Sequence, residues 1–248
     1  MEKPNITRKS VLSFAFIALS FVSYSQNWLD IGIKGGYGLT MLYNQNIFDD
    51  NAYNHQLSGG YGFGGKLGVN FGESHEVTFD VMSSSFKQGF KYSIIDSTDG
   101  SPEYNSEVTY KALDLILMYR NNNEGRYFEI GPVLSLIRSG TQSDEFLRYT
   151  NADASDSWTK NGYGVAMGFG AYLFGTDNFG ITFGARFNYM ISDAISQIGQ
   201  QNNFPVNKTY NTYKASHPFS AMIIMEMNYD LGYLAQANCS KRRKIILF

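Results

Sequence analysis

A single cysteine, Cys239, cannot close an intramolecular disulfide, so the fold of this 248-residue chain does not rest on a disulfide framework. Histidine is nearly as scarce. His55, His75 and His217 are the only three, and no His, Cys, Asp or Glu cluster has metal-ligand spacing, so neither a metal nor any other cofactor is expected. Charge of one sign is lacking too, with 20 basic against 22 acidic side chains, which gives no reason to expect a nucleic-acid partner. Beyond the N-terminus no apolar run approaches the ~20 residues of a spanning helix, and this excludes a helical membrane protein. Proline is limited to five residues.

Glycine (25), phenylalanine (19) and tyrosine (18) are abundant, a mixture that favours β structure. The first 25 residues have the layout of a secretory signal peptide: Lys3, Arg8 and Lys9, an apolar core from Val11 to Val22, then Ser23 and Ser25 before Gln26. Without that segment 17 basic and 21 acidic residues remain, a net charge of −4.

The rest of the chain alternates. From Tyr163 to Phe174 and from Phe179 to Phe187, large apolar residues hold every second position and glycine holds many of the others. Period two over ten or more residues marks a strand, and the length matches the ~9–11 residues of a tilted membrane-spanning strand. Six similar runs are Trp28–Met41, Gly59–Phe71, one starting at Val77, Tyr110–Arg120, Tyr127–Ile137 and Phe219–Leu231. Alternation in the third weakens from Ser83 to Tyr92. Pro132, inside the fifth, is expected to mark a bulge because it cannot donate to a ladder. Long polar segments (43–56, 96–106, 140–157, 193–212) alternate strictly with short turns (72–75, 121–125, 175–178). That asymmetry predicts an all-β fold: an eight-stranded antiparallel up-and-down transmembrane β-barrel over residues 26–233. A signal peptide at 1–25 precedes it and a short periplasmic tail at 234–248 follows. Both mature termini then lie in the periplasm, in a Gram-negative outer membrane.

Polarity assigns the faces. Phe71, Tyr119, Phe128, Phe169, Phe179, Phe183 and Tyr229 are expected to face lipid, with Tyr127 and Phe174 joining the girdle near the turns. The opposite faces combine glycine with Asp30, Lys34, Lys66, Asp80, Asp114, Glu129, Arg186 and Glu226. Eight strands leave an interior just wide enough for side chains to fill. These charges are therefore expected to form a paired network in the lumen, where an unpaired one would be costly. The Gly60–Gly65 segment fits G-x-G-x-x-G, but it lies inside a strand instead of between strand and helix, so no dinucleotide site is expected.

The Ser25-Gln26 junction, the opening Ile31-Gly32-Ile33-Lys34-Gly35-Gly36, the segment Tyr127-Phe128-Glu129-Ile130-Gly131-Pro132 and the tail Cys239–Phe248 resemble the Bacteroidetes outer-membrane β-barrel domain proteins, the PorT-like group. The resemblance implies an outer-membrane barrel, and its named member implies a part in protein secretion. The expected function is that of a non-enzymatic outer-membrane protein: structural, surface-binding, or an accessory subunit of an envelope complex. Its partners would be outer-membrane lipid, other envelope proteins and a ligand of the long loops. The alternative is a small rim enzyme, deacylating lipid A or cutting peptides, with His55 or His217 as base near Ser58, Asp193, Ser216 or Ser220.

Overall fold

A computed structural model describes residues 26–72, 74–93, 102–176 and 178–236. The expected signal peptide and residues 237–248 lie outside these. Ten strands form: β1 (Gln26–Tyr43), β2 (Tyr53–Gln56), β3 (Ser58–Phe71), β4 (His75–Ser93), β5 (Glu103–Asn123), β6 (Arg126–Asp144), β7 (Tyr149–Asp153), β8 (Asn161–Gly175), β9 (Phe179–Met190) and β10 (His217–Gln236). Two short helices, α1 (Gln45–Phe48) and α2 (Gln197–Gln201), lie in the first and last long connections.

Eight of these strands close a ring in the order β1-β3-β4-β5-β6-β8-β9-β10, antiparallel throughout and sealed by β10 on β1 from Tyr43↔His217 to Gln26↔Gln236. Closure leaves no unpaired edge, the condition a sheet must meet in hydrocarbon. The fold is thus the eight-stranded antiparallel barrel. Three tight turns cluster at one end and all long connections at the other. No described helix is long and apolar enough to cross a membrane.

The ring is inside out. Ile33 is 64% exposed, Phe63 60% and Phe169 53%, whereas Lys34 is 3% exposed, Glu226 1% and Arg120 0%. Water would penalise the first arrangement, and lipid reverses the preference.

Four details differ from the sequence reading. Strands β4, β5 and β6 are 19, 21 and 19 residues long and rise beyond the other strands on the loop side. The two strands β2 and β7 pair with those extensions. The weakened alternation after Ser83 is a switch of faces. Below it Val77, Phe79 and Val81 point outward; above it the outward positions hold Lys87 and Lys91, and Phe86 and Phe90 point inward. On β5 the same switch puts Glu103, Glu107 and Lys111 outside and Val108, Tyr110 and Ala112 inside. The strands leave lipid there and acquire the polarity of a protein in water. Pro132 marks no bulge, because the β5–β6 register is the same on both sides of it (Ile116↔Val133, Tyr119↔Ile130). The irregularity falls between Lys111 and Ala112, opposite Arg138, at that same boundary. Finally, β10 runs to Gln236, so the first residues of the expected tail continue the strand.

Candidate functional site

The lumen is stacked in layers. At its centre Lys34, Lys66, Arg120 and Arg186 meet Asp30, Glu76, Asp80, Glu129 and Glu226, all at most 5% exposed. Lys34 Nζ lies 2.7 Å from Asp80 and 3.0 Å from Glu226. Lys66 Nζ is 3.0 Å from both Asp30 and Glu226 and also pairs with Glu76. Arg186 grips Glu129 at 2.6 Å and Asp80 at 3.0 Å. Arg120 reaches Glu129 at 2.8 Å and Glu226 at 2.7 Å, with its guanidinium 4.3 Å above the Tyr127 ring. Each cation faces at least two carboxylates, which offsets the desolvation that an isolated buried charge would suffer. Among the barrel strands β8 alone supplies no charge. Its Gly168 makes room instead, since a Cβ there would sit 2.7 Å from a Glu129 carboxylate oxygen.

Seven of the eight charged positions read from the sequence thus meet in one cluster. Asp114 stands apart: it faces inward but higher up, where its carboxylate accepts the Ser135 hydroxyl at 2.6 Å, and no basic side chain pairs with it among the described residues. Glu76 and Arg120 join the cluster without having stood out in the sequence. Both share the parity of their strands' inner faces (Asp80 on β4, Asp114 on β5), so carrying the alternation one or two residues further would have found them. Among the aromatics, Tyr119, Phe128, Phe169, Phe183 and Tyr229 are exposed on the outer wall, while Phe71 and Phe179 beside the turns are half-buried. Tyr127, expected in the girdle, instead points into the lumen under Arg120.

Above the charges an apolar layer of Met82, Ile116, Met118, Val133 and Ala166 fills the barrel. Over that, the connections after β1, β6 and β9 fold onto the raised β4–β6 wall around a second core containing Leu42, Ile47, Phe86, Phe90, Tyr110, Trp158, Phe204 and Val206. Trp158 sits edge-on to both Tyr110 and Phe204. Polar groups stitch the connections together. Asn44 caps α1 through Asn46 N at 2.9 Å and donates to Lys214 O at 2.8 Å and Ser216 Oγ at 2.9 Å. Buried Gln88 accepts from Leu42 N at 2.8 Å, and Tyr53 donates to Val206 O at 2.8 Å. Asp50 takes Lys208 at 2.5 Å and Tyr210 at 3.0 Å. Burial opposes ionisation of Asp50, but these donors win and hold its carboxyl below the usual range. The same burial, with Asp50 and Asp144 nearby, pushes Tyr53 up to about 12. A cleft of about 940 Å³ opens on this cap, bordered by Asp49 to Asn54, Tyr92, Phe146, Leu147 and Lys208.

The histidines have no catalytic company among the described residues. His55 lies edge-on to Phe90 and Phe48, and burial pushes its pKa down. His217 Nδ1 faces Met190 O at 3.2 Å, and His75 contacts Tyr119 at the turn end. The G-x-G-x-x-G segment is interior β3, with Gly60 and Gly62 on the lumen wall. No described cluster of His, Cys, Asp and Glu could hold a metal ion.

Comparison with known proteins agrees with this architecture. Residues 24–196 match the family model described as outer membrane protein beta-barrel domain. The chain belongs to that family. Solved structures similar to this family member include Neisserial surface protein A (13% identity, 79% of this chain and 95% of that one, TM-score 0.42) and OprG of Pseudomonas aeruginosa (8%, 84% and 97%, 0.41). Another is Ail of Yersinia pestis, solved with the heparin analogue sucrose octasulfate (12%, 82% and 99%, 0.36). No curated protein matches the sequence. The protein is an outer-membrane β-barrel.

Proposed function

We propose that this barrel is a non-enzymatic surface-binding module of the outer membrane, with its loop side outside the cell and its turns and termini in the periplasm. A cleaved signal peptide at 1–25 would deliver it there. The observation that carries the reading is the cap: three of the long connections share one hydrophobic core around Trp158 above a lumen filled by ion pairs. Such a scaffold holds a recognition surface rigidly, and recognition is the usual role of loops on a rigid frame. The cleft beside Asp50, Tyr53 and Lys208 is where we expect a ligand or an envelope partner to seat. The PorT-like resemblance supports a secretion-associated complex as the setting. The non-catalytic part of the reading draws support from the histidines: among the described residues neither His55 nor His217 is hydrogen-bonded to a serine or a carboxylate.

The test is a pulldown with tagged full-length protein from detergent-solubilised outer membranes, run in parallel with Tyr53→Ala/Lys208→Glu and with the turn variant Asn123→Ser. The reading expects a partner that is lost with the cap variant and kept with the turn variant. Hydrolysis of lipid A or peptide that disappears in His55→Ala or His217→Ala would overturn it.

A further inference from the structure

The turn-side mouth of the barrel is acidic, and its negative charge exceeds what the barrel neutralises. A cavity of about 460 Å³ opens there, and its wall carries Asp30, Glu76, Glu124 and Asp230 against the single cation Lys66. Lys66 is already shared among Asp30, Glu76 and Glu226. Asp230 and Glu124 have no ion-pair partner among the described residues. Asp30 and Asp230 are direct cross-strand partners on β1 and β10, a like-charge pairing that destabilises a sheet unless a cation relieves it. A neutral group points the same way. Asn228, 8% exposed and on the same wall, gives its amide N–H to Glu226 at 2.6 Å, while its carbonyl oxygen has no donor among the described residues. Two unpaired carboxylates and a free buried acceptor together form a receptor for N–H donors carrying positive charge.

The chain holds such a donor set close by. Strand β10 ends at Gln236, level with Gln26 at the turn end, and four consecutive cations, Lys241-Arg242-Arg243-Lys244, begin five residues later. Five residues extend up to about 17 Å. Eight strands ~4.8 Å apart and tilted ~40° make a wall about 16 Å across. The cations therefore reach any point of the mouth. We propose that the segment Lys241–Lys244 binds across this acidic mouth, as an intramolecular partner for the carboxylates that the lumen leaves unpaired. Guanidinium groups suit the site, since each offers several N–H donors in a fixed fork to carboxylate and carbonyl oxygens.

The lone cysteine makes the test direct. Cys239 lies two residues before the basic run, and Asn123 is exposed on the far rim of the mouth, at the end of β5. Full-length Asn123→Cys in nanodiscs is oxidised with copper phenanthroline at about 10 mM and about 1 M salt, where the screening length falls from about 30 to about 3 Å. The proposal expects an intramolecular disulfide between the introduced thiol and Cys239 at low salt, and a several-fold lower yield at high salt. It also expects loss of that disulfide when Lys241, Arg242, Arg243 and Lys244 are all changed to Glu. The loop-side control Asn211→Cys is expected to give no such bond. A yield from Asn123→Cys no higher than the control, or one unchanged by salt, would overturn the proposal. The salt series needs no tail substitution, so it decides even if the tail variant fails to assemble.

Discussion

Arg120 and Glu226 face each other across the full width of the barrel. They stand on β5 and β10, four strands apart in either direction round an eight-strand ring, and meet through two bonds of 2.9 and 2.7 Å. Arg186 and Asp80, on β9 and β4, form a second diametric strut at 3.0 Å. A side-chain pair that spans the diameter does what a hydrophobic core does in a soluble barrel: it ties opposite walls together.

Removing one partner leaves buried charge uncompensated, and breaking such a pair costs about 3–5 kcal/mol. The two halves of this strut are not equivalent. Arg120→Met withdraws the cation shared by Glu76, Glu129 and Glu226 from a cluster of five carboxylates and four cations, whereas Glu226→Gln leaves Lys34 on Asp80, Lys66 on Asp30 and Glu76, and Arg120 on Glu129. Urea unfolding followed by heat-modifiable gel mobility is expected to rank Arg120→Met as the more damaging. Equal losses, or none, would show that the strut is not under load.

The outer wall should reject charge according to depth. Phe169→Arg puts a cation on the lipid-facing belt and is expected to cost about 2–4 kcal/mol if the site is near the bilayer midplane. Phe146→Arg, equally exposed but on the cap, should lose at most about 1 kcal/mol, the contribution of its edge contact with Tyr104. Unfolding midpoints in the same lipid compare the two.

The cap should loosen in acid before the barrel does. His55 has a folded pKa below its unfolded value of about 6.5, so its neutral form favours the fold and stability drops as pH falls through that value. Asp50 also has a depressed folded pKa; its contribution is present above the unfolded value of about 3.9 and is lost as pH falls further. Limited proteolysis of the 191–216 connection is expected to accelerate in two steps, first below about pH 6.5 and again below about pH 4. His55→Phe, which keeps the ring against Phe48 and Phe90, should abolish the first step alone.

Trp158→Ala separates cap from barrel. Deleting this 2%-exposed ring from the loop-side core should cost about 3–5 kcal/mol of cap stability, read as faster proteolysis at neutral pH. The ring of eight strands keeps its ladder, so heat-modifiable mobility should persist. Loss of both would mean that cap and barrel unfold as one unit.

The barrel was legible because lipid imposes period two on every crossing strand, and glycine on the inner face of β1, β3 and β8 sharpens the contrast. The lumen cluster followed from parity at seven positions. Arg120 and Glu76 have the same parity but sit near strand ends, where few flanking repeats mark the alternation. Asp114 shows the other limit: parity gives the face but not the height, and at its height the neighbours are Ser135 and apolar groups, not cations. The cap could not be read at all. Its partners, Leu42, Phe90, Trp158 and Phe204, come from four distant segments, and the connections have no period to betray which side chains are buried.

The central claim is that polarity across the wall is reversed, and neighbouring residues of β10 test it within one strand. Ile223 is 56% exposed on the outside, and Ile224 is 5% exposed in the lumen. Methyl NMR in nanodiscs containing a doxyl-labelled lipid measures their contact with acyl chains directly. Strong broadening of Ile223, Ile33 and Ile130 with sharp signals from Ile224 and Ile116 is the predicted result; the reverse pattern, or equal broadening of Ile223 and Ile224, would contradict the account.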